Sequence, residues 1–134
     1  MPPLFQNVAG VPAPVAPYSH FVECDGWVFV TGQLPIDPAN EPAPLPPDVE
    51  SQTHVTFANL RKVLASRGLD LRDVVAARCF LTHFEADYAR FNRIYAGYFP
   101  DGRFPARTCI GVTALARGAR VEIDFIARNH ESHS

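Results

Sequence analysis

The prolines limit what this chain can fold into more than any other feature. Pro2, Pro3, Pro12, Pro14 and Pro17 crowd the N-terminus, and Pro35, Pro38, Pro42, Pro44, Pro46 and Pro47 crowd the stretch after Leu34. Proline fixes φ and has no amide hydrogen to give, so neither stretch can lie inside a helix or a central strand. The first reads as an irregular arm, residues 1–16, with at most a short edge strand around Phe5 to Val8. The second reads as a surface loop that can border a pocket. Regular structure is confined to the segments between and after them.

Between the clusters, Tyr18 to Glu23 and Trp27 to Thr31 are strand-like and flank Asp25-Gly26, a strong signal for a tight hairpin. From Asp48 to Arg67, Val49, Thr53, Phe57, Leu60 and Leu64 recur at steps of three and four, which predicts an amphipathic helix with Gly68 as its C′ residue. Val74 to Thr82 is apolar at both parities apart from Arg78, as in a strand covered on both faces. Phe84, Tyr88, Phe91, Tyr95 and Tyr98 or Phe99 then predict a second helix, stopped by Pro100, whose aromatic stripe reads as core packing. His83 precedes it in a capping position. Arg107 to Thr113 and Ala119 to Ala127 read as strands, expected to pair as a second hairpin around Gly118. In the latter, Val121, Ile123, Phe125 and Ala127 alternate with Glu122 and Asp124. Asn129 to Ser134 reads as a frayed tail.

The pattern is that of an α+β fold, with two helices on one face of a largely antiparallel sheet. At 134 residues the chain is expected to form one domain with a hydrophobic core of its own. Two helices cover one sheet face, so the apolar residues of the other call for a second copy of the chain. A formal net charge of −2 lacks the positive field on which phosphate-backbone binding draws, so nucleic acid is not an expected partner. No long apolar run and no basic leader are visible, and Cys24, Cys79 and Cys109 form no paired motif. These features fit a reducing cytoplasm, away from membranes.

Metal and cofactor motifs are missing. His130 and His133 have ligand-like spacing but fall in the tail, and no phosphate loop, dinucleotide fingerprint or nucleophile elbow occurs. Neither a metal nor a cofactor is expected. Cys109 in a strand is more simply a small hydrophobe than a nucleophile. Arg107 stands out, because a permanently charged side chain near the start of an apolar strand needs an anion. Glu122 or Asp124 on a neighbouring strand would make a structural ion pair; a bound acid is the alternative.

The residues around Arg107 bear on that choice. Pro105-Ala106-Arg107-Thr108, Gly111-Val112, Leu115, Gly118, Val121-Glu122-Ile123-Asp124 and Ala127 resemble the closing signature of the RidA/YjgF/YER057c/UK114 family. Ala16-Pro17-Tyr18-Ser19-His20 is similar to its G-P-Y-S-Q, and Val30-Thr31-Gly32-Gln33-Leu34-Pro35 to its V-S-G-Q-I-P. Gln52-Thr53 through Asn59-Leu60, and Phe91 through Phe99, fit as well. The resemblance implies a chorismate-mutase-like fold with a sheet of about six strands, assembled as a homotrimeric barrel with clefts between subunits. It also implies hydrolysis of 2-imino acids and their enamine tautomers to 2-oxo acids and ammonia, without a cofactor.

On that resemblance Arg107 clamps the substrate carboxylate by charge-assisted hydrogen bonds, worth roughly 1.5–3 kcal/mol each. Glu122 orients or activates water. The main-chain N–H of Cys109 supports the carboxylate or a developing charge, while Tyr18 and Thr31 wall the pocket. Thr31 stands for the usual Ser, and Ala16 and His20 for Gly and Gln, so pocket shape departs from the family pattern. Other readings are a deaminase dedicated to aminoacrylate or 2-aminomuconate, a non-catalytic sensor of small carboxylates and, ranked last, a ribonuclease.

Overall fold

The computed structural model describes residues 2–130. In chain order the elements are β1 (Leu4–Gln6), β2 (Phe21–Cys24), β3 (Trp27–Gln33), α1 (Val49–Ala65), β4 (Val74–Leu81), α2 (Phe84–Gly97), β5 (Ala106–Gly111) and β6 (Val121–Arg128). The strands form a six-stranded sheet ordered β1-β2-β3-β6-β4-β5. Every pairing is antiparallel except β4 with β5.

Local signals set most of these elements. Asp25 and Gly26 have φ of 52° and 83°, the left-handed pair that a type I′ turn requires between β2 and β3. The Asp48 carboxylate caps α1 by accepting from Ser51 N at 2.7 Å. At the other end, Gly68 N and Leu69 N donate to Ala65 O and Leu64 O, the bond pair of a Schellman motif with Gly68 at C′. His83 does not act as expected: it precedes α2 without any side-chain cap hydrogen bond.

Both helices lie on one face of the sheet. Val49, Thr53, Phe57, Leu60 and Leu64 of α1 are fully buried, as are Phe91 and, nearly so, Tyr95 of α2. They meet Val28, Val30, Ala77, Cys79, Ile123 and Phe125, the inward residues of β3, β4 and β6. Phe57 stacks on Tyr98 at 3.9 Å and packs edge-on against Phe99, which in turn meets Phe125. Burial of each large side chain contributes roughly 2 kcal/mol. The proline-rich loop is held down on α1 by Asn59 Nδ2, which donates to Leu34 O and Ile36 O, and by Gln52 Nε2, which donates to Pro46 O.

The expected hairpin between the last two strands does not form. β5 lies at the sheet edge and pairs in parallel with β4, while β6 inserts between β3 and β4. Adjacent parallel strands need a crossover, and α2 supplies it. Residues 112–120, with a 3₁₀ turn at Ala116–Gly118, then carry the chain past β4. The central position goes to β6, whose inward residues Val121, Ile123, Phe125 and Ala127 are all buried. Cys109 therefore lies in an edge strand and is half-buried, not enclosed.

The second face carries Val22, Phe29, Ala76, Phe80, Ile110 and Ile126 around Arg78, Glu122 and Asp124. Phe29 and Ile110 are nearly half exposed there, at 47% and 46%. Within one chain, β4 is thus covered on one face only, contrary to the reading of Val74 to Thr82. Asn129 is likewise no frayed residue: it is buried, and its N–H donates to Gly26 O at 2.6 Å. His133 lies outside the described residues. Among the described residues no cluster of three or more His, Cys, Asp or Glu could hold a metal ion, and no helix is long and apolar enough to cross a membrane.

Candidate active site

Arg107 and Cys109 pair across β5 and β4 with Ala77 and Cys79, whose side chains are buried beneath the helices. Side chains alternate along a strand, so Arg107 and Cys109 face α2 while Thr108 and Ile110 face the other way. The Arg107 guanidinium carbon sits 4.8 Å from the Tyr95 ring centre, 5.8 Å from Phe91 and 5.9 Å from Tyr88. Its Nη2 donates to Tyr88 Oη at 3.4 Å. Among the described residues it has no salt bridge. Asp124, a partner that strand adjacency offered, is taken by Arg78, with Nη2 to Oδ2 at 2.7 Å. Aromatic faces attract a cation by roughly 0.5–2 kcal/mol but do not neutralise it. The recess can therefore accept an anion.

The open edge of β5 adds donors beside that charge. Val112 N donates to Leu81 O of β4, and amides of alternate residues in a strand point to opposite sides. The N–H groups of Thr108 and Ile110 consequently point to β4, and those of Arg107 and Cys109 to the free edge. The Cys79 thiol and the Arg107 charge both favour the Cys109 thiolate and hold the Cys109 thiol below its ordinary value, against the opposing effect of burial.

Glu122 is on the other face. It pairs with Phe80, which pairs with Ile110, and all three point away from the helices. Its carboxylate lies over Gly32: a Cβ built on that glycine would collide with Glu122 Oε2. Thr31, Gly32, Phe29, Arg78, Glu122 and Ile126 line an open hollow of about 480 Å³ there. Burial, reinforced by the Asp124 charge and opposed by Arg78, pushes the Glu122 carboxyl above the usual glutamate value. Its carboxylate makes no hydrogen bond or salt bridge among the described residues. Such a group can exchange a proton with a ligand.

Thr31 Oγ1 donates to Ser19 O at 2.5 Å, which ties the segment before β2 to the hollow. Tyr18, next to Ser19, is 41% exposed and does not itself line it; its Oη accepts from Val15 N at 3.4 Å. Two groups result. Arg107 and Cys109 sit together on the helix side of the edge strand, and Thr31 and Glu122 sit together on the outer face.

The family model described as Endoribonuclease L-PSP matches residues 9–129. The chain belongs to this family, the RidA/YjgF group whose motifs it carries. It is 43% identical over 118 residues to Protein DfrA of Myxococcus xanthus, covering 87% of this chain and 88% of that one. It is 36% identical over 118 residues to the 3-aminoacrylate deaminase RutC of Acinetobacter baylyi, covering 88% and 91%. Among solved structures, YyfA of the Rid family from Yersinia pestis superposes with a TM-score of 0.88 at 32% identity, covering 95% of this chain and 99% of that one.

Two features of this RidA/YjgF-family chain escape a reading of the sequence. His20, where the family pattern has Gln, is buried, with Nδ1 accepting from Val8 N at 2.8 Å and Nε2 donating to Pro12 O at 2.8 Å. It fastens the arm and has no ring nitrogen left for a ligand. Tyr88 and Tyr95, read as core packing, also wall the Arg107 recess. Their helical spacing fits both roles, and only the placement of β5 under α2 separates them.

Proposed function

We propose that this RidA/YjgF-family protein is an enamine/imine deaminase that hydrolyses small 2-imino acids to 2-oxo acids and ammonia, in sites shared between the subunits of a homotrimer. The observation that carries the reading is the Arg107 guanidinium, which has no carboxylate partner among the described residues, in an aromatic recess at an open strand edge. Its planar fork suits a carboxylate, with the Cys109 N–H as a further donor along the same edge. A substrate held by its carboxylate has its C=N carbon fixed for attack.

Water adds to that carbon, giving a carbinolamine, and collapse of the carbinolamine expels ammonia and leaves the ketone. In each of these two steps one proton must leave the oxygen that came from water and one must reach the nitrogen. Glu122, raised by burial, can take the first and return the second. Within one chain Glu122 and Arg107 are on opposite faces, and the outer face leaves the apolar Phe29 and Ile110 nearly half exposed. Both facts support a neighbouring subunit that brings its Glu122, Thr31 and Tyr18 to the Arg107 of the next. The deaminase name of the Acinetobacter baylyi relative supports the same chemistry.

The test mixes the purified protein with freshly generated 2-aminoacrylate and follows oxo-acid formation. Wild type is expected to accelerate it, and Arg107→Ala and Glu122→Gln to abolish most of the acceleration. Binding of a 2-oxo acid without acceleration would favour the carboxylate sensor. RNA cleavage that survives Arg107→Ala would favour a ribonuclease.

A further inference from the structure

Cys79 and Cys109 are direct partners in the parallel β4/β5 ladder, and both side chains point to the helix face. Neighbouring strands lie about 4.8 Å apart, within the 4.4–6.8 Å Cα separation that a disulfide spans. The two thiols are unequal. Cys109 is half-buried in the edge strand beside the Arg107 charge, whereas Cys79 lies directly behind it and is fully buried. We propose that this pair is a site of reversible oxidative modification, closed to an intrachain disulfide by hydroperoxides.

Each thiol has one part in the reaction. The Cys109 thiolate attacks the peroxide O–O bond, so that an S–O bond forms and the leaving oxygen departs as water or an alcohol after taking a proton. The Cys79 sulfur then attacks Cys109 sulfenic acid; the S–S bond forms, and the hydroxyl leaves as water with the Cys79 proton. Two thiols lose two electrons and one hydroperoxide gains them. Geometry sets the order, because an oxidant arriving at the open edge reaches Cys109 first. The influence of each thiol on the other runs the same way, lowering Cys109 and raising Cys79. The thiolate is the attacking form in each step, so Cys109 is favoured as the first to react and Cys79 gives up its proton as it attacks the sulfenic acid.

Cys24 serves as an internal control. It lies on β2, three strands from β4, with its thiol directed at Asp25 Oδ2. The inference does not depend on the deaminase reading.

The experiment exposes the intact protein to equimolar hydrogen peroxide, unfolds it in an alkylating reagent and maps the cysteines by mass spectrometry. The expected product is a Cys79–Cys109 linked peptide, two hydrogens lighter than the reduced pair, with Cys24 alkylated and full reversal by a dithiol. Dimedone should label Cys109 strongly in Cys79→Ala and at least tenfold less in wild type, where Cys79 resolves the sulfenic acid. The proposal is overturned if wild-type Cys109 advances to sulfinic acid while Cys79 stays alkylatable, or if the disulfides formed contain Cys24. The wild-type measurement decides the matter even if Cys79→Ala folds poorly.

Discussion

Arg107 and Glu122 lie on opposite faces of the same sheet, on β5 and β6, with β4 between them. Two strand spacings, roughly 10 Å, and the sheet itself separate their side chains. A small acid gripped by Arg107 is out of reach of Glu122 in the same chain. On the deaminase reading each site is completed by a neighbour, so the two defects should complement. Arg107→Ala and Glu122→Gln, each inactive alone, are expected to regain activity when unfolded together and refolded as mixed oligomers. With equal amounts and random assembly, about one site in four draws an intact Arg107 from one chain and an intact Glu122 from the next. Recovery near that fraction of wild-type turnover is the expected outcome. No recovery in verified mixed oligomers would rule out the shared cleft.

The Glu122 carboxyl also ties stability to pH. Its folded value is raised, chiefly by burial. The native state therefore holds this proton more tightly than the unfolded chain, and its contribution to stability is complete below the unfolded value. That contribution is lost as pH rises through the folded value. Glu122→Gln removes the titration. The variant should gain stability relative to wild type as pH increases across that window, while losing deamination. Urea titrations at a series of pH values measure the difference, and a wild-type minus variant stability that stays flat would contradict it.

Gly32 positions the same carboxylate. A methyl group at this position would occupy the space of Glu122 Oε2, the far end of a flexible side chain that can swing aside. Gly32→Ala should therefore fold with stability within about 1 kcal/mol of wild type. Its turnover is expected to fall tenfold or more, with substrate affinity at Arg107 little altered. A variant with full turnover would show that the Glu122 position is unimportant to the reaction.

What the sequence made legible follows from range. The face of α1 from Val49 to Leu64, the Asp25-Gly26 turn and the alternation along β6 are local periodicities, and they appear in the fold as read. The placement of β5 is a competition among strands far apart in the chain, and the Gly118 loop resembles a hairpin connection locally. That error had consequences at the site. With β5 beside β6, Arg107 falls naturally to Glu122 or Asp124; with β5 on the outer side of β4, it falls to Tyr88, Phe91 and Tyr95 of α2. Arg107 and Glu122 were both nameable from family motifs, but their opposition across the sheet required the strand order.

His20 shows how a departure at one motif position can be structural. Val8 N can only donate and Pro12 O can only accept, so Nδ1 accepts the first hydrogen bond and Nε2 donates the second. His20→Ala leaves both main-chain groups unpaired in a partly buried setting and should cost roughly 2 kcal/mol. A glutamine offers a carbonyl acceptor and an amide donor on one short side chain, as the family pattern has at this place. His20→Gln should therefore stay within about 1 kcal/mol of wild type. Urea unfolding gives the energies, and limited proteolysis near Val8 reports release of the arm, expected in the alanine variant alone. Deamination by His20→Gln should match wild type, because neither ring nitrogen is free to meet substrate. A rate deficit in His20→Gln with the arm still protected would instead give His20 a part in the chemistry.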